Sequence, residues 1–143
     1  MLKRCFKSIM QIVLIGTFFV VTGCNLFQDT GPLNNTIIYR GLDAKSKTGK
    51  AILSPSQFRF NPDLSTTTDV AVLEKPCTFA FTVDDNGNVL GLPGYTAMNT
   101  PTEQDPNHWS INHPANVSAD AAKKAVSDYA KENPASLSPV ACQ

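Results

Sequence analysis

The chain has 143 residues, of which 42% are apolar and 17% charged, and twelve Lys and Arg balance twelve Asp and Glu. This size and mix suit one globular domain and exclude a disordered polar chain. The charge is unevenly placed: Lys3, Arg4 and Lys7 precede every acidic residue, so the part from Cys24 onward carries nine basic and twelve acidic side chains, a formal −3 that gives it no electrostatic reason to bind nucleic acid.

The first element is a leader. MLKRCFK is basic, and an apolar stretch from Ile9 to Val21 follows, broken by Gln11, Gly16 and Thr17. A membrane-spanning helix needs about 20 apolar residues, so this stretch is too short for one and suits the core of a signal peptide. Val21-Thr22-Gly23-Cys24 closes it. The tetrad, an aliphatic residue, a small one, Gly and then Cys, resembles the lipobox of bacterial lipoprotein precursors. The resemblance covers only the leader. It implies a thioether-linked diacylglycerol on Cys24, cleavage between Gly23 and Cys24, and acylation of the new amino group. The mature protein would then be held on a membrane by its lipid, each buried methylene contributing about 0.8 kcal/mol. Asn25 after the cysteine implies sorting to the outer membrane in a Gram-negative host. The competing reading is a secreted protein with an ordinary signal peptide, and two tripeptides, Asn34-Asn35-Thr36 and Asn116-Val117-Ser118, match the glycosylation pattern it would use.

With Cys5 removed alongside residues 1–23 and Cys24 lipidated, Cys77 and Cys142 remain. In an oxidising compartment a remaining pair predicts one disulfide, with two free buried thiols as the alternative. Neither has further ligands at zinc-site spacing.

Residues 24–35 are polar, contain Gly31-Pro32 and lack periodicity, which predicts a flexible tether ahead of a single domain over 36–143. Strand character then recurs at Thr36 to Arg40, Gln57 to Phe60, Val70 to Glu74, Thr78 to Val83 and Asn88 to Leu92, with Phe58/Phe60 and Phe79/Phe81/Val83 each on one face. SKTGKAILSP, from Ser46, predicts a turn leading into a strand. VDDNGNV carries Asn86-Gly87, a strong hairpin signal. Its Asp84, Asn86 and Asn88 mimic a calcium loop, but the sixth and twelfth places hold Val89 and Tyr95 where an EF-hand needs Gly and Glu, so a turn is expected.

Gly91 to Val117 predicts a long proline-rich loop holding the only two histidines and the only tryptophan. His108 and His113, with Asp105 and Glu103 nearby, are candidate metal ligands for a hydrolase; the plainer reading is solvated histidines and a Trp109 packed onto the sheet. Tyr95 and Trp109 are also candidate anchors for a protein partner.

One helix is predicted. Ser118 suits its N-cap, Ala122, Ala125, Val126, Tyr129 and Ala130 form an apolar stripe, Asp120 and Lys124 an ion pair, and Pro134 the stop. The expected architecture is α+β: a small antiparallel sheet with this C-terminal helix packed on it.

Catalytic motifs fail. Lys47-Thr48-Gly49 lacks the Ser-x-x-Lys and Ser-Asp-Asn of penicillin-binding proteins, Gly49-Lys50 is followed by Ala51 and makes no phosphate loop, and Gly-x-Ser-x-Gly and His-Glu-x-x-His are absent. The chain is therefore expected to use no cofactor and to be a non-enzymatic envelope lipoprotein that binds another protein. It would serve in an envelope or secretion assembly, as an immunity or inhibitor protein, or as a phage- or plasmid-encoded exclusion lipoprotein.

Overall fold

Alternating β-branched and aromatic residues favour a half-buried strand, and two such runs form the centre of the sheet. Strand β1 (Thr36–Leu42, TIIYRGL) pairs antiparallel with β3 (Cys77–Val83, CTFAFTV) in unbroken register from Thr36↔Val83 to Leu42↔Cys77. A computed structural model describes residues 35–143; the leader, Gly23, Cys24 and the tether up to 34 lie outside the described residues. Strand β2 is Leu64–Thr67, β4 Thr96–Asn99, β5 His108–Asn112 and β6 Leu137–Ser138. All six join one antiparallel sheet in the order β4-β5-β2-β1-β3-β6.

The inner face carries Ile38, Leu42, Leu64, Phe79, Phe81 and Ile111, none of them exposed. Helix α1 (Ala119–Glu132) supplies the other half of the core through Ala122, Val126, Ser127 and Ala130. Each large apolar side chain buried in this way contributes about 1.5–3 kcal/mol. Phe79 is the hub, with ring centroids 6.5 Å from Phe58, 4.9 Å from Phe81 and 5.9 Å from Tyr129, each edge-on. The Ser118 hydroxyl accepts from the Ala121 N–H at one end of α1, and Asn133 caps the other by donating Nδ2–H to the Tyr129 carbonyl, just ahead of Pro134. Within α1, Ser127 replaces the expected Ala125 on the buried stripe, since its hydroxyl donates to the Leu53 carbonyl at 2.6 Å. Asp120 pairs with Lys123 rather than with Lys124, which pairs with Asp128.

A Cys77–Cys142 disulfide, with Cα atoms 5.9 Å apart, ties the C-terminal tail to β3, as expected. The fold class is thus α+β, with one helix on one antiparallel sheet.

Three expected strands are absent. At Gln57 to Phe60, Pro55 starts a single 3-10 turn (Pro55–Gln57); Phe58 and Phe60 still reach the core, but from an irregular backbone. At Val70 to Glu74, the Asp69 carboxylate accepts from the Ala71 N–H and tips the run into a 3-10 turn, Val70–Leu73. At Asn88 to Leu92, pairing with β3 lasts one bridge, Val83↔Val89, before Gly91 at φ 83° turns the chain. Likewise SKTGKAILSP forms the turn, but its return is only the bridge Ala44↔Ala51.

The expected loop from Gly91 to Val117 instead contains a hairpin. β4 and β5 pair from Thr96↔Asn112 to Asn99↔Trp109, and Pro101 and Pro106 fall in the connection between them, where missing N–H groups break no ladder. The Asn86-Gly87 turn closes as expected: Asp84 Oδ1 accepts from the N–H groups of Asn86 and Asn88, and Gly87 takes φ 80°. It also shields the sheet edge, because the Ala97 N–H donates to the Gly87 carbonyl at 2.7 Å.

Candidate functional site

Strand alternation sorts the polar residues of the β2–β4–β5 region onto the outer face, away from α1. Leu64↔Ile111 and Thr66↔Trp109 face the core; Ser65↔Ser110 and Thr67↔His108 lie on the opposite face, where Thr67 and Ser110 are nonetheless buried. His108 contacts two hydroxyl-bearing residues there. The Ser65 Oγ lies 2.7 Å from His108 Nε2, and His108 Nδ1 lies 2.9 Å from both the carbonyl oxygen and the Oγ1 of Thr100. Thr100 Oγ1 in turn bonds Ser110 Oγ at 2.8 Å.

The direction of these bonds follows from the carbonyl. A carbonyl oxygen only accepts, so in the neutral ring Nδ1 carries the proton and Nε2 is left to accept from the Ser65 hydroxyl. This is the order of a serine nucleophile, an imidazole base and an orienting acceptor, with a main-chain carbonyl in the place of a carboxylate. Ser65 is exposed and His108 half-buried. Two cavities of about 490 and 270 Å³ lie elsewhere, and neither Ser65 nor His108 lines them.

The structure does not bring the two histidines together. His113, one residue beyond β5, packs its ring edge-on against Phe60 at 5.2 Å on the core side, with Nδ1 3.0 Å from the Pro114 carbonyl. Five residues along a strand change face, so His108 and His113 do not form a joint metal site. Nor do Asp105 or Glu103 complete one: among the described residues, no three His, Cys, Asp or Glu side chains are grouped to hold a metal. Asp105 instead shapes the β4–β5 connection, its carboxylate accepting from the Asn107 N–H.

Tyr95 is corrected as a surface anchor. It is only 5% exposed, packed against Phe60 in the core, and its hydroxyl is buried with no hydrogen-bond partner; burial raises its pKa. Trp109 lies on β5 rather than in a loop and packs, half-buried, against the core. The sequence reading missed Ser65, Thr100 and Ser110. The usable signal was the period-two pattern of HWSIN, which sets 108, 110 and 112 on one face. No helix among the described residues is long and apolar enough to cross a membrane.

These features define a small disulfide-bonded α+β domain with a hydroxyl-rich outer sheet face. Comparison with protein-family models, with curated proteins and with solved structures finds no match.

Proposed function

We propose that the chain is a lipid-anchored protein of the bacterial cell envelope whose domain over 36–143 binds another protein. The observation that carries the reading is the use of the four cysteines. Cys77 and Cys142 pair with each other, which leaves Cys24, in its lipobox, as the one thiol after the leader. Disulfides persist in oxidising compartments, as the envelope location requires. Asn25 favours the outer membrane. The role is that of a component of an envelope or secretion assembly or an immunity or inhibitor protein, with an exclusion lipoprotein as the alternative; a toxin gene, secretion operon or prophage beside its gene would choose among them.

Ser65 and His108 line neither of the two cavities described above, which favours binding over catalysis, since a reaction needs walls that position a substrate and exclude water. Labelled palmitate tests the anchor. It should enter the protein in a bacterial host and be lost on Cys24→Ala; equal labelling of both forms refutes the anchor. A second reading, favoured by the 2.7 Å Ser65–His108 contact, is a serine hydrolase. Covalent labelling by a fluorophosphonate that disappears in both Ser65→Ala and His108→Ala would select it, and an unlabelled protein would remove it.

A further inference from the structure

Beyond the leader the chain has two arginines, Arg40 and Arg59, and both line one cavity of about 270 Å³ together with Asp43, Gln57 and Lys75. The neighbouring cavity of about 490 Å³ shares Ser56 and Arg59 with it and continues to the first turn of α1. Arg59 therefore stands at the junction of an extended groove.

The groove follows from a split in the sheet. β1 pairs with β3 along its whole length but with β2 only at Tyr39↔Thr67. The Arg40 side chain bridges the gap, donating from Nη1 to the Ser65 carbonyl at 2.9 Å and from Nε to the Gln57 carbonyl at 3.2 Å. Both acceptors are neutral. The four ion pairs among the described residues all use lysine, and neither arginine has a carboxylate at ion-pair distance. Lys75 is already neutralised by Asp43 at 2.6 Å, and Lys123, in the adjoining cavity, by Asp120. The unbalanced charge of the groove is thus the two guanidiniums, in a mature chain whose net charge is negative. Arg40 has lost much of its hydration, and desolvation lowers its pKa. A guanidinium in that position gains most from an anion that accepts two parallel hydrogen bonds.

We propose that the Arg40–Arg59 groove binds an acidic segment of a partner protein, seating a carboxylate between the two arginines. The proposal rests on the protein-binding reading above and names the chemistry of the partner. An extended groove with its cations at one end and at the junction suits a peptide rather than a single small ion.

The test uses the whole chain, expressed in a bacterial envelope and purified in non-ionic detergent. Fluorescein-labelled hexaglutamate should bind, hexaglutamine should not, and Arg59→Gln should weaken binding at least tenfold while Lys47→Gln, on an exposed turn that lines neither cavity, leaves it unchanged. Arg59 is exposed and makes no side-chain hydrogen bond, so its variant keeps the test independent of folding; Arg40→Gln should weaken binding further. Equal binding to wild type and Arg59→Gln, or an equal loss in Lys47→Gln, overturns the proposal. So does arginine-dependent binding of inorganic phosphate without binding of hexaglutamate. A photo-crosslinker at Ser56 and another at Met98, on the outer face, separate the two levels. A cross-link at Ser56 that is lost in Arg59→Gln supports the groove. A cross-link at Met98 alone overturns the groove and leaves the protein-binding reading standing, whereas none at either position refutes both.

Discussion

Opening the Cys77–Cys142 bond should lower stability mainly by releasing the unfolded chain. The two cysteines are 65 residues apart, and the chain-entropy relation for a loop of that length gives about 4 kcal/mol at 25 °C. A domain of roughly 110 residues has an unfolding entropy of about 0.23 kcal/mol per degree, so the midpoint should fall by about 15–20 °C. Thermal melts followed by circular dichroism would compare oxidised protein, the same protein in reductant, and Cys77→Ala with Cys142→Ala. The reduced form isolates the crosslink, because both sulfurs stay in place. The double alanine variant should fall a little further, because Cys77 and Cys142 are 0% and 3% exposed and their sulfurs leave small voids. A fall of less than about 5 °C on reduction would refute the entropic account and would mean that β6, paired with β3 at Thr78↔Ser138 and Phe79↔Leu137, holds the tail in both states.

Other expectations concern single contacts. Gly91→Ala should cost about 2–3 kcal/mol, combining left-handed strain with a clash, since its Cβ would lie 2.5 Å from Tyr129 Cε2. Gly49→Ala, at φ 69° with its nearest neighbour 3.9 Å away, should cost only about 1 kcal/mol, and equal denaturation midpoints for the two variants would contradict the clash. Ser127→Ala should cost about 1–2 kcal/mol in urea denaturation, because the Leu53 carbonyl loses its buried donor; an unchanged midpoint would mean that water replaces it. Hydrogen bonds from Lys124 and Lys131 hold the Asp128 carboxyl down to about 2. A carboxylate with a depressed folded pKa contributes stability above its unfolded pKa of about 3.9, and that contribution is lost as pH falls toward 2. A carbon-13 titration of Asp128 with a midpoint near 4 would refute the paired geometry.

Where the chain's own local chemistry dominates, the sequence was sufficient. Ser118, the Ala122/Val126/Ala130 stripe and Pro134 specify α1 within one segment, and Asn86-Gly87 specifies its turn because Gly87 takes φ 80°, a backbone that glycine adopts cheaply. The alternation of Phe79, Phe81 and Val83 specified both β3 and its buried face. The cysteine count led to the disulfide, because pairing two remaining thiols needs no knowledge of the path between them. Signals failed where a strand is defined by its partner. Val70 to Glu74 is as β-prone as β1, yet its backbone bonds close locally under Asp69, while the polar LSTT of β2 becomes a strand because β5 lies beside it.

The candidate sites show the same division. Sequence alone determined the net negative charge of the part from Cys24 onward and the residues that form the helix and the central strands. Only the tertiary structure set Ser65 against His108, 43 positions apart, and turned His113 to the opposite face. It alone buried Tyr95 and left Arg40 and Arg59 in one groove with no carboxylate at ion-pair distance from either. The Ser65–His108 contact depends on cross-strand register, in which a shift of one residue exchanges the two faces of a strand, and no local pattern encodes that register.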